Sequence, residues 1–288
     1  MDSRNKISRP DLLFLAPGIL VFLLFIVVPL VTCFYYSVTN WNGISDTFRY
    51  VGFDNFKRLF KDVSFIKALK STAINTIFIT FVLNAFSIIV AIAIDRPGKF
   101  YNTMKTLVFI PAILSPVVCS FIWSYMTQTD GGVINTLLNS VGIKSINLFQ
   151  SEFSSILVVS FVIAWAAFGF YTTVYIANLK SIPIEVYEAA DIDGIKSFQR
   201  TRYITVPLLR PAITINTITA LIYGLKQFDF FKVMVPGYIQ TVAVNAVERA
   251  FEYNMFGYSS AIVLILLFIT MIISIIQLKI MRRKEVEY

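Results

Sequence analysis

The segment Ile182–Ala212, IPIEVYEAADIDGIKSFQRTRYITVPLLRPA, is a polar stretch that separates two long apolar runs. Within it, EAADIDG (Glu188–Gly194) places three carboxylates in six consecutive positions of an otherwise apolar chain. Such a cluster between membrane-length runs predicts a loop outside the bilayer, because an ionised group is costly in hydrocarbon. The function of the chain depends on what this loop contacts.

The composition indicates an integral membrane protein. The 288 residues are 57% hydrophobic and only 15% charged, against about 25% charged residues in soluble domains. The net charge of +8 does not predict nucleic-acid binding, because the basic residues cluster at the ends of apolar runs. The chain has no histidine, and Cys33 and Cys119 lie in separate apolar runs. We therefore expect no metal site, no disulfide framework and no hydrolase chemistry.

Six apolar runs are each long enough to cross a bilayer, which takes about 20 residues. The fold class predicted is all-α, a polytopic membrane protein with six transmembrane helices near 12–36, 72–94, 106–126, 155–179, 208–227 and 258–280. The first run is longer than the apolar core of a signal peptide and lacks a cleavage pattern, so we interpret it as a retained helix.

The distribution of Lys and Arg predicts the orientation. With the N-terminus inside, the inside segments hold the larger share of the 25 basic residues, and the C-terminal KIMRRKE adds to them. Both termini and the EAADIDG loop are then cytoplasmic. The domain organisation expected is an N-terminal helix with a first outside segment (1–70), a main membrane domain (71–280) that contains the polar loop 181–207, and a tail (281–288).

Two outside segments predict further helices. The stretch 53–69 has Phe and Leu at near-helical spacing, which favours one amphipathic surface helix. A shorter helix is expected after Gly131. Three prolines in or beside the runs, Pro29, Pro111 and Pro116, predict kinks.

The acidic loop admits several interpretations. A calcium loop is disfavoured, because alignment on Gly194 puts Ala189 and Arg200 at ligand positions that require acids. Paired catalytic carboxylates would need a shielded cleft, and a solvated helix turn needs nothing further. The residues nevertheless predict an ordered elbow: a helix in IEVYEAADI, a left-handed Gly194, and a second short helix from Ser197 to Pro207. An elbow with small alanines on one face is typical of a docking element.

The segment Ile182–Ala212 resembles the EAA loop of permease subunits of bacterial ABC importers, in particular the maltose and multiple-sugar type. The stretches 14–41, 51–76, 109–138 and 256–283 are similar to the first helix, first outside loop, third helix and sixth helix of the same type. Departures are Ile195 for an Ala, Tyr203 for a Phe, and Val235-Pro236-Gly237 in place of Gly-Gly-Pro after the fifth helix. The last concerns the shape of that outside loop and bears on the identity of the substrate.

The resemblance implies a multi-pass permease of the bacterial cytoplasmic membrane that imports a sugar or oligosaccharide and is not an enzyme. The partners implied are a second permease subunit in a heterodimer, two copies of a cytoplasmic ATPase, an extracytoplasmic solute-binding protein and membrane lipid, with no nucleic acid. The chain itself would bind no cofactor, since ATP and Mg²⁺ belong to the ATPase, and it has no catalytic residue. The ATPase-docking and coupling residues implied are Glu188, Ala189, Ala190, Asp193, Gly194 and Pro207.

A translocation path needs polar and aromatic groups that face inward. Thr219, Tyr223 and Gln227 recur at i, i+4 and i+8 on the fifth helix, with Gly224 beside them. The further candidates are Trp165, Phe170 and Tyr171 on the fourth helix and Ser120 and Trp123 on the third. Each also has a structural interpretation, as an interfacial anchor or as a hydroxyl bonded to backbone.

Two other functions remain open from the sequence. The chain could be an ABC permease for a non-sugar solute, such as glycerol-phosphate, an amino acid or a peptide. It could instead be an ion-coupled secondary transporter, although such proteins carry ionisable groups at mid-membrane and inverted repeats. Among the apolar runs, only the fifth is interrupted by a charged residue, Arg210 near its start.

Overall fold

A computed structural model of the chain describes the backbone of residues 9–282 and the side chains of residues 15–281. This part of the chain is helical, with a single isolated antiparallel bridge between Thr39 and Tyr50. The helices are α1 (Arg9–Phe22), α2 (Val28–Ser37), α3 (Asp54–Leu59), α4 (Val63–Ile94), α5 (Lys99–Phe109), α6 (Pro116–Met126), α7 (Val133–Ser140), α8 (Glu152–Leu179), α9 (Ile184–Ile192), α10 (Ser197–Arg200), α11 (Val206–Leu208), α12 (Arg210–Leu225), α13 (Asp229–Met234), α14 (Val242–Phe251) and α15 (Phe256–Arg282).

Four described segments are long and apolar enough to cross a membrane: Leu15–Ser37, Val63–Ile94, Glu152–Leu179 and Phe256–Met281. Two further candidates are bent pairs of helices, and counting each pair as one span gives six. The all-α, polytopic class is therefore confirmed. The helix predicted near 208–227 corresponds to α12 (Arg210–Leu225), whereas the region 106–126 holds two helices, α5 and α6, separated by a break.

The break in the first bent pair comes from proline. A 3₁₀ turn at Ile110–Ile113 follows α5, Ser115 is extended (φ −66°, ψ 148°), and α6 starts at Pro116 with an angle of 98° between the two halves. Proline disfavours the helical region for the residue before it, so the chain turns at Ser115 instead of continuing. The kinks expected at Pro111 and Pro116 are thus part of one sharp bend.

Proline also shapes the other irregular helices. The segment Ser197–Leu208 meets α12 at 66°, where Pro207 and Pro211 flank Leu209. A π-helical turn at Leu23–Val27 precedes α2, which has Pro29 in its first turn. Because proline donates no backbone hydrogen bond and collides with the preceding turn, such local widening relieves the clash.

The structure divides into two compact units, each with its own packing. One holds the chain up to Asp62 together with Ala246–Ile265, and the other holds Val63–Asn245 together with the chain from Leu266. In the first unit, Asp62 accepts hydrogen bonds from Arg249 (3.0 Å) and from the hydroxyl of Tyr258 (2.7 Å). The predicted single amphipathic helix at 53–69 was wrong, because α3 ends at Leu59 and α4 begins at Val63.

The second unit is built on α4, which packs against α8 and α12. Polar side chains join these helices: Asn75 donates to the carbonyl of Gly224 (2.9 Å) and accepts from Ser160 (2.8 Å). Nine residues further along α4, Asn84 Oδ1 accepts a hydrogen bond from the hydroxyl of Tyr175 (2.7 Å). In a bilayer, where apolar contact with lipid is as good as with protein, such bonds and close packing hold helices together.

Candidate functional site: the elbow and the cavity

The EAADIDG stretch forms the end of α9 and the turn that follows it. Gly194 has φ +69°. Its N–H donates to the carbonyl of Asp191 (3.2 Å), and the N–H of Ile195 donates to the carbonyl of Ala190 (3.0 Å). These two bonds make a Schellman motif, which places a left-handed residue directly after a helix. The expected positive φ at Gly194 is confirmed.

The second arm of the elbow begins immediately afterwards. Lys196 N–H donates to Gln199 Oε1 (3.3 Å) at the start of α10. The two arms are joined across the turn by Arg200, whose Nη1 donates to Asp191 Oδ1 (2.8 Å). The Arg200 guanidinium also lies over the ring of Tyr187 at 5.7 Å from its centroid. One arginine thus contacts two side chains of α9.

The predicted docking residues differ in accessibility. Glu188, Ala189 and Asp193 are exposed, whereas Ala190 is only 3% exposed and packs within the chain's own fold. The expected two-alanine docking face was therefore wrong for Ala190, because that side of α9 is already covered. Asp193 caps the helix through its backbone N–H, and the carboxylate that ties the turn together belongs to Asp191.

A cluster of buried side chains connects the elbow to the ends of the long helices. Leu209, which follows Pro207, is 1% exposed and packs with Ala91, Tyr175, Ile176, Leu179 and Ala212. This cluster joins the end of α4, the end of α8 and the start of α12. Since buried side chains in contact are closely packed, this cluster is the physical connection between the elbow and the helices α8 and α12.

The same two helices line a cavity of about 480 Å³, within the range of about 300–1,000 Å³ typical of small-molecule sites. The bend between α5 and α6 forms part of its wall. Its lining residues are Ala112, Leu114, Pro116, Ala166, Ala167, Phe170, Tyr171, Thr219, Ile222, Tyr223, Lys226 and Phe230. Tyr171 lies eight residues before Leu179, the last residue of α8, which is about 12 Å along the helix axis from that end.

Four of the nine predicted path residues line this cavity together: Phe170, Tyr171, Thr219 and Tyr223. Gln227 does not continue their face, because α12 ends at Leu225 and the helical period ends with it. Gln227 is 6% exposed and its Nε2 donates to the carbonyl of Tyr223 (3.2 Å).

The other predicted path residues have structural surroundings. Gly224 faces α4, where a Cβ would lie 2.8 Å from Thr76 Cα. Ser120 is buried and donates to the carbonyl of Pro116 (2.7 Å). Trp123 and Trp165 stack edge to face with centroids 5.4 Å apart, and Trp165 lines a separate apolar groove of the second unit. The expectation that Gly224 leaves room for a path was wrong, because a neighbouring helix occupies that space.

A second cleft, of about 450 Å³, lies beside the elbow. It is polar and brings Asp95 and Arg96, which follow α4, opposite Tyr187, Glu188 and Arg200. Among the described residues, no ion pair to Glu188 is present. In the part of the chain that the structure describes, no cluster of acidic residues and cysteines could hold a metal ion.

Comparisons with known proteins agree on one family. The family model described as the binding-protein-dependent transport system inner membrane component matches residues 83–286. The chain belongs to this family. The match spans α8, the elbow and α12, together with every residue that lines the cavity. This inner membrane component is accordingly a multi-pass transport subunit and not an enzyme.

Two relatives match over most of their length. The diacetylchitobiose uptake system permease protein NgcF of Streptomyces coelicolor is 30% identical over 281 residues, which cover 91% of this permease and 79% of that protein. The multiple sugar-binding transport system permease protein MsmF of Streptococcus mutans is 30% identical over 279 residues, with 95% of each chain covered.

The fold of the permease also matches a solved structure. A chain of the bacterial alginate ABC transporter, solved in complex with an alginate pentasaccharide-bound periplasmic protein, superposes with a TM-score of 0.82 at 21% identity. The superposition covers 96% of each chain. At that identity the likeness establishes the shared fold.

Sequence reasoning missed three features of this permease. Asp191 and Arg200 are separated by a glycine turn, so no helical spacing relates them. Lys226 had a visible signal, since it is a charge directly after an apolar run, but its place at the cavity depends on the end of α12. Phe230 lies on α13, which the apolar pattern did not predict.

Proposed function

We propose that this chain is one permease subunit of an ABC importer that moves a sugar or oligosaccharide into the cell. Family membership supports the transport role, and the names of NgcF and MsmF support the substrate class. The observation that carries the proposal is that α8 and α12, which line the cavity, are also the helices whose ends pack together at the base of the elbow.

The proposed mechanism assigns the steps to named groups. Glu188 and Ala189, both exposed, contact a separate cytoplasmic ATPase that holds ATP and Mg²⁺. Gly194 forms the turn, and Pro207 with Leu209 connects the elbow to the helix ends. ATP-driven movement of the ATPase displaces the elbow, and the cluster around Leu209 passes the displacement to α8 and α12. The cavity then alternates between access to the outside and access to the cytoplasm.

The proposed assembly contains this chain, a second permease, two ATPase copies and an extracytoplasmic solute-binding protein. Both termini and the coupling loop 181–207 lie on the cytoplasmic side. Residues 71–280 form the permease domain, 1–70 precede it, and 281–288 are a cytoplasmic tail. The candidate path comprises the cavity residues Phe170, Tyr171, Thr219 and Tyr223.

The test uses the assembled importer in proteoliposomes and the variant Gly194→Pro. Proline cannot adopt a positive φ and lacks the N–H that bonds to Asp191. We expect the variant to insert into the membrane but to lose ATP-dependent uptake of labelled oligosaccharide. Gly142→Pro is the matched control, because Gly142 also has positive φ (+81°) and an N–H bond (to Asn139, 3.1 Å).

Two results would contradict the proposal. Full uptake by Gly194→Pro would show that the elbow does not couple transport to ATP. Uptake by the native assembly in the absence of ATP would show that the importer is not ATP-driven at all.

A further inference from the structure

Lys226 is the single charged side chain among the described residues that line the cavity. The rest of the lining consists of the aromatic side chains Phe170, Tyr171, Tyr223 and Phe230, the Thr219 hydroxyl, and small or apolar side chains. No Asp or Glu is part of it. The cavity wall therefore contains one ammonium group and no carboxylate.

The charge on Lys226 is not neutralised by an ion pair. Lys226 is exposed, and among the described residues no carboxylate oxygen lies within 4.0 Å of its Nζ. Asp229, three residues further along, occupies the first turn of α13, where the helix dipole favours an acid, and it is not among the residues that line the cavity. A substrate in the cavity thus meets an unpaired ammonium group.

The position of Lys226 at the end of α12 explains only in part why this residue is a lysine. A cation is favoured at a helix C-terminus, and a lysine near the end of a membrane span often extends toward the interface. Both effects would be satisfied by a side chain directed away from the cavity. Because the Lys226 side chain lines the cavity, it also favours anionic groups there, and neither of the two effects requires this.

We propose that Lys226 selects the substrate by charge, and that the saccharide passing this cavity carries an anionic group. The proposal rests on the proposed function, namely that the cavity is the sugar path. A sugar carboxylate, or a sulfate or phosphate ester, would accept a charge-assisted hydrogen bond from the ammonium group. The apolar faces of the pyranose rings would pack on the aromatic side chains.

The experiment offers two pools of oligosaccharides to the assembled importer in proteoliposomes and identifies the imported species by mass spectrometry. The acidic pool contains oligogalacturonates and sulfated galactans. The neutral pool contains the carboxyl-reduced and desulfated counterparts with maltodextrins, chito-oligosaccharides and arabino-oligosaccharides. Within the acidic pool, the imported species distinguish a carboxylate from a sulfate as the anionic group.

The variants separate charge from structure. Lys226→Gln should lower uptake of the acidic species about tenfold, the loss expected for one hydrogen bond to a charged group, so the ratio of acidic to neutral uptake should fall by about the same factor. Lys226→Arg keeps the charge and should retain most acidic uptake. Lys144→Gln is the matched control, because Lys144 is exposed and lies outside the cavity lining. All variants are assayed with the same binding protein, so differences in uptake between variants do not come from the selectivity of that protein.

Each opposing outcome has a defined meaning. Import of neutral species only, or an equal loss of both kinds in Lys226→Gln, overturns the charge selection and leaves sugar import standing. Full acidic uptake by Lys226→Gln overturns it as well. Uptake of neither pool by an assembly with active ATPase contradicts the proposed function itself.

Discussion

Arg200 Nη1 lies 2.8 Å from Asp191 Oδ1, across the turn that Gly194 makes between the two arms of the elbow. The arginine side chain is 34% exposed and the aspartate side chain 63% exposed, so solvent screens the pair and its contribution is about 0.2–1 kcal/mol. The pair therefore stiffens an elbow that the Schellman turn has already formed.

Loss of this ion pair should weaken coupling without preventing assembly. We expect Asp191→Asn and Arg200→Gln each to lower transported sugar per ATP hydrolysed by a few-fold at most. The double variant Asp191→Arg with Arg200→Asp, which exchanges the two charges, should partly restore the amount of sugar transported per ATP hydrolysed. Asp54→Asn, which breaks the exposed pair with Lys57 (3.1 Å), should leave the ratio unchanged. A ratio equal to wild type in both single variants would refute a coupling role for the pair.

The requirement for a left-handed residue at 194 predicts a graded series. No atom lies within 4 Å of a Cβ built on Gly194, so substitution meets only the backbone cost, about 1–2 kcal/mol for an L-residue with positive φ. Gly194→Asn should retain more ATP-dependent uptake than Gly194→Ala, because asparagine tolerates this conformation. Uptake should be normalised to the amount of permease in the vesicles. Identical uptake by the two variants would contradict the conformational explanation.

The crossing of α12 over α4 predicts a packing defect at Gly224. A Cβ there would lie 2.8 Å from Thr76 Cα, so Gly224→Ala forces the helices apart at a cost of about 1–3 kcal/mol. The detergent-solubilised importer should melt several degrees lower. Gly18→Ala is the control, since nothing lies within 4 Å of its Cβ position. An unchanged melting temperature for Gly224→Ala would mean that the two helices are not in close contact.

Filling the cavity should block passage and leave assembly intact. Thr219→Trp places an indole into the space of about 480 Å³, and we expect uptake to fall below one tenth while the ATPase still co-purifies. The control is Ile215→Trp, one turn earlier on α12, where the residue is 53% exposed and not part of the cavity lining. Unimpaired uptake by Thr219→Trp would place the path elsewhere.

Much of the elbow could be read from the sequence because its signals are local. Polar residues interrupt two apolar runs, good helix formers precede Gly194, and Gly194 itself is suited to a turn with positive φ. These features depend on the conformation of a few adjacent residues. The ion pair between Asp191 and Arg200 could not be read in the same way, because it depends on the angle between two arms.

The breaks in the spans illustrate a second limit. The prolines at 111, 116 and 207 were visible, and kinks were expected at the first two. Whether a proline bends a helix slightly or splits it by 98° depends on what packs against the bend. Here the bend between α5 and α6 packs against α8 and forms part of the cavity wall.

The sequence by itself determined the class of protein, the apolar segments, and the chemistry of the elbow. The tertiary structure decided which faces meet: that Thr219 and Tyr223 line a cavity with Tyr171, that Gly224 contacts α4, and that Lys226 joins the lining. The physical reason lies in the solvent. In water, polar and apolar residues alternate and reveal the buried face of a helix, whereas in a bilayer the lipid-facing and protein-facing sides are both apolar. The sequence pattern therefore identifies the membrane-spanning segments but does not distinguish their lipid-facing sides from their protein-facing sides.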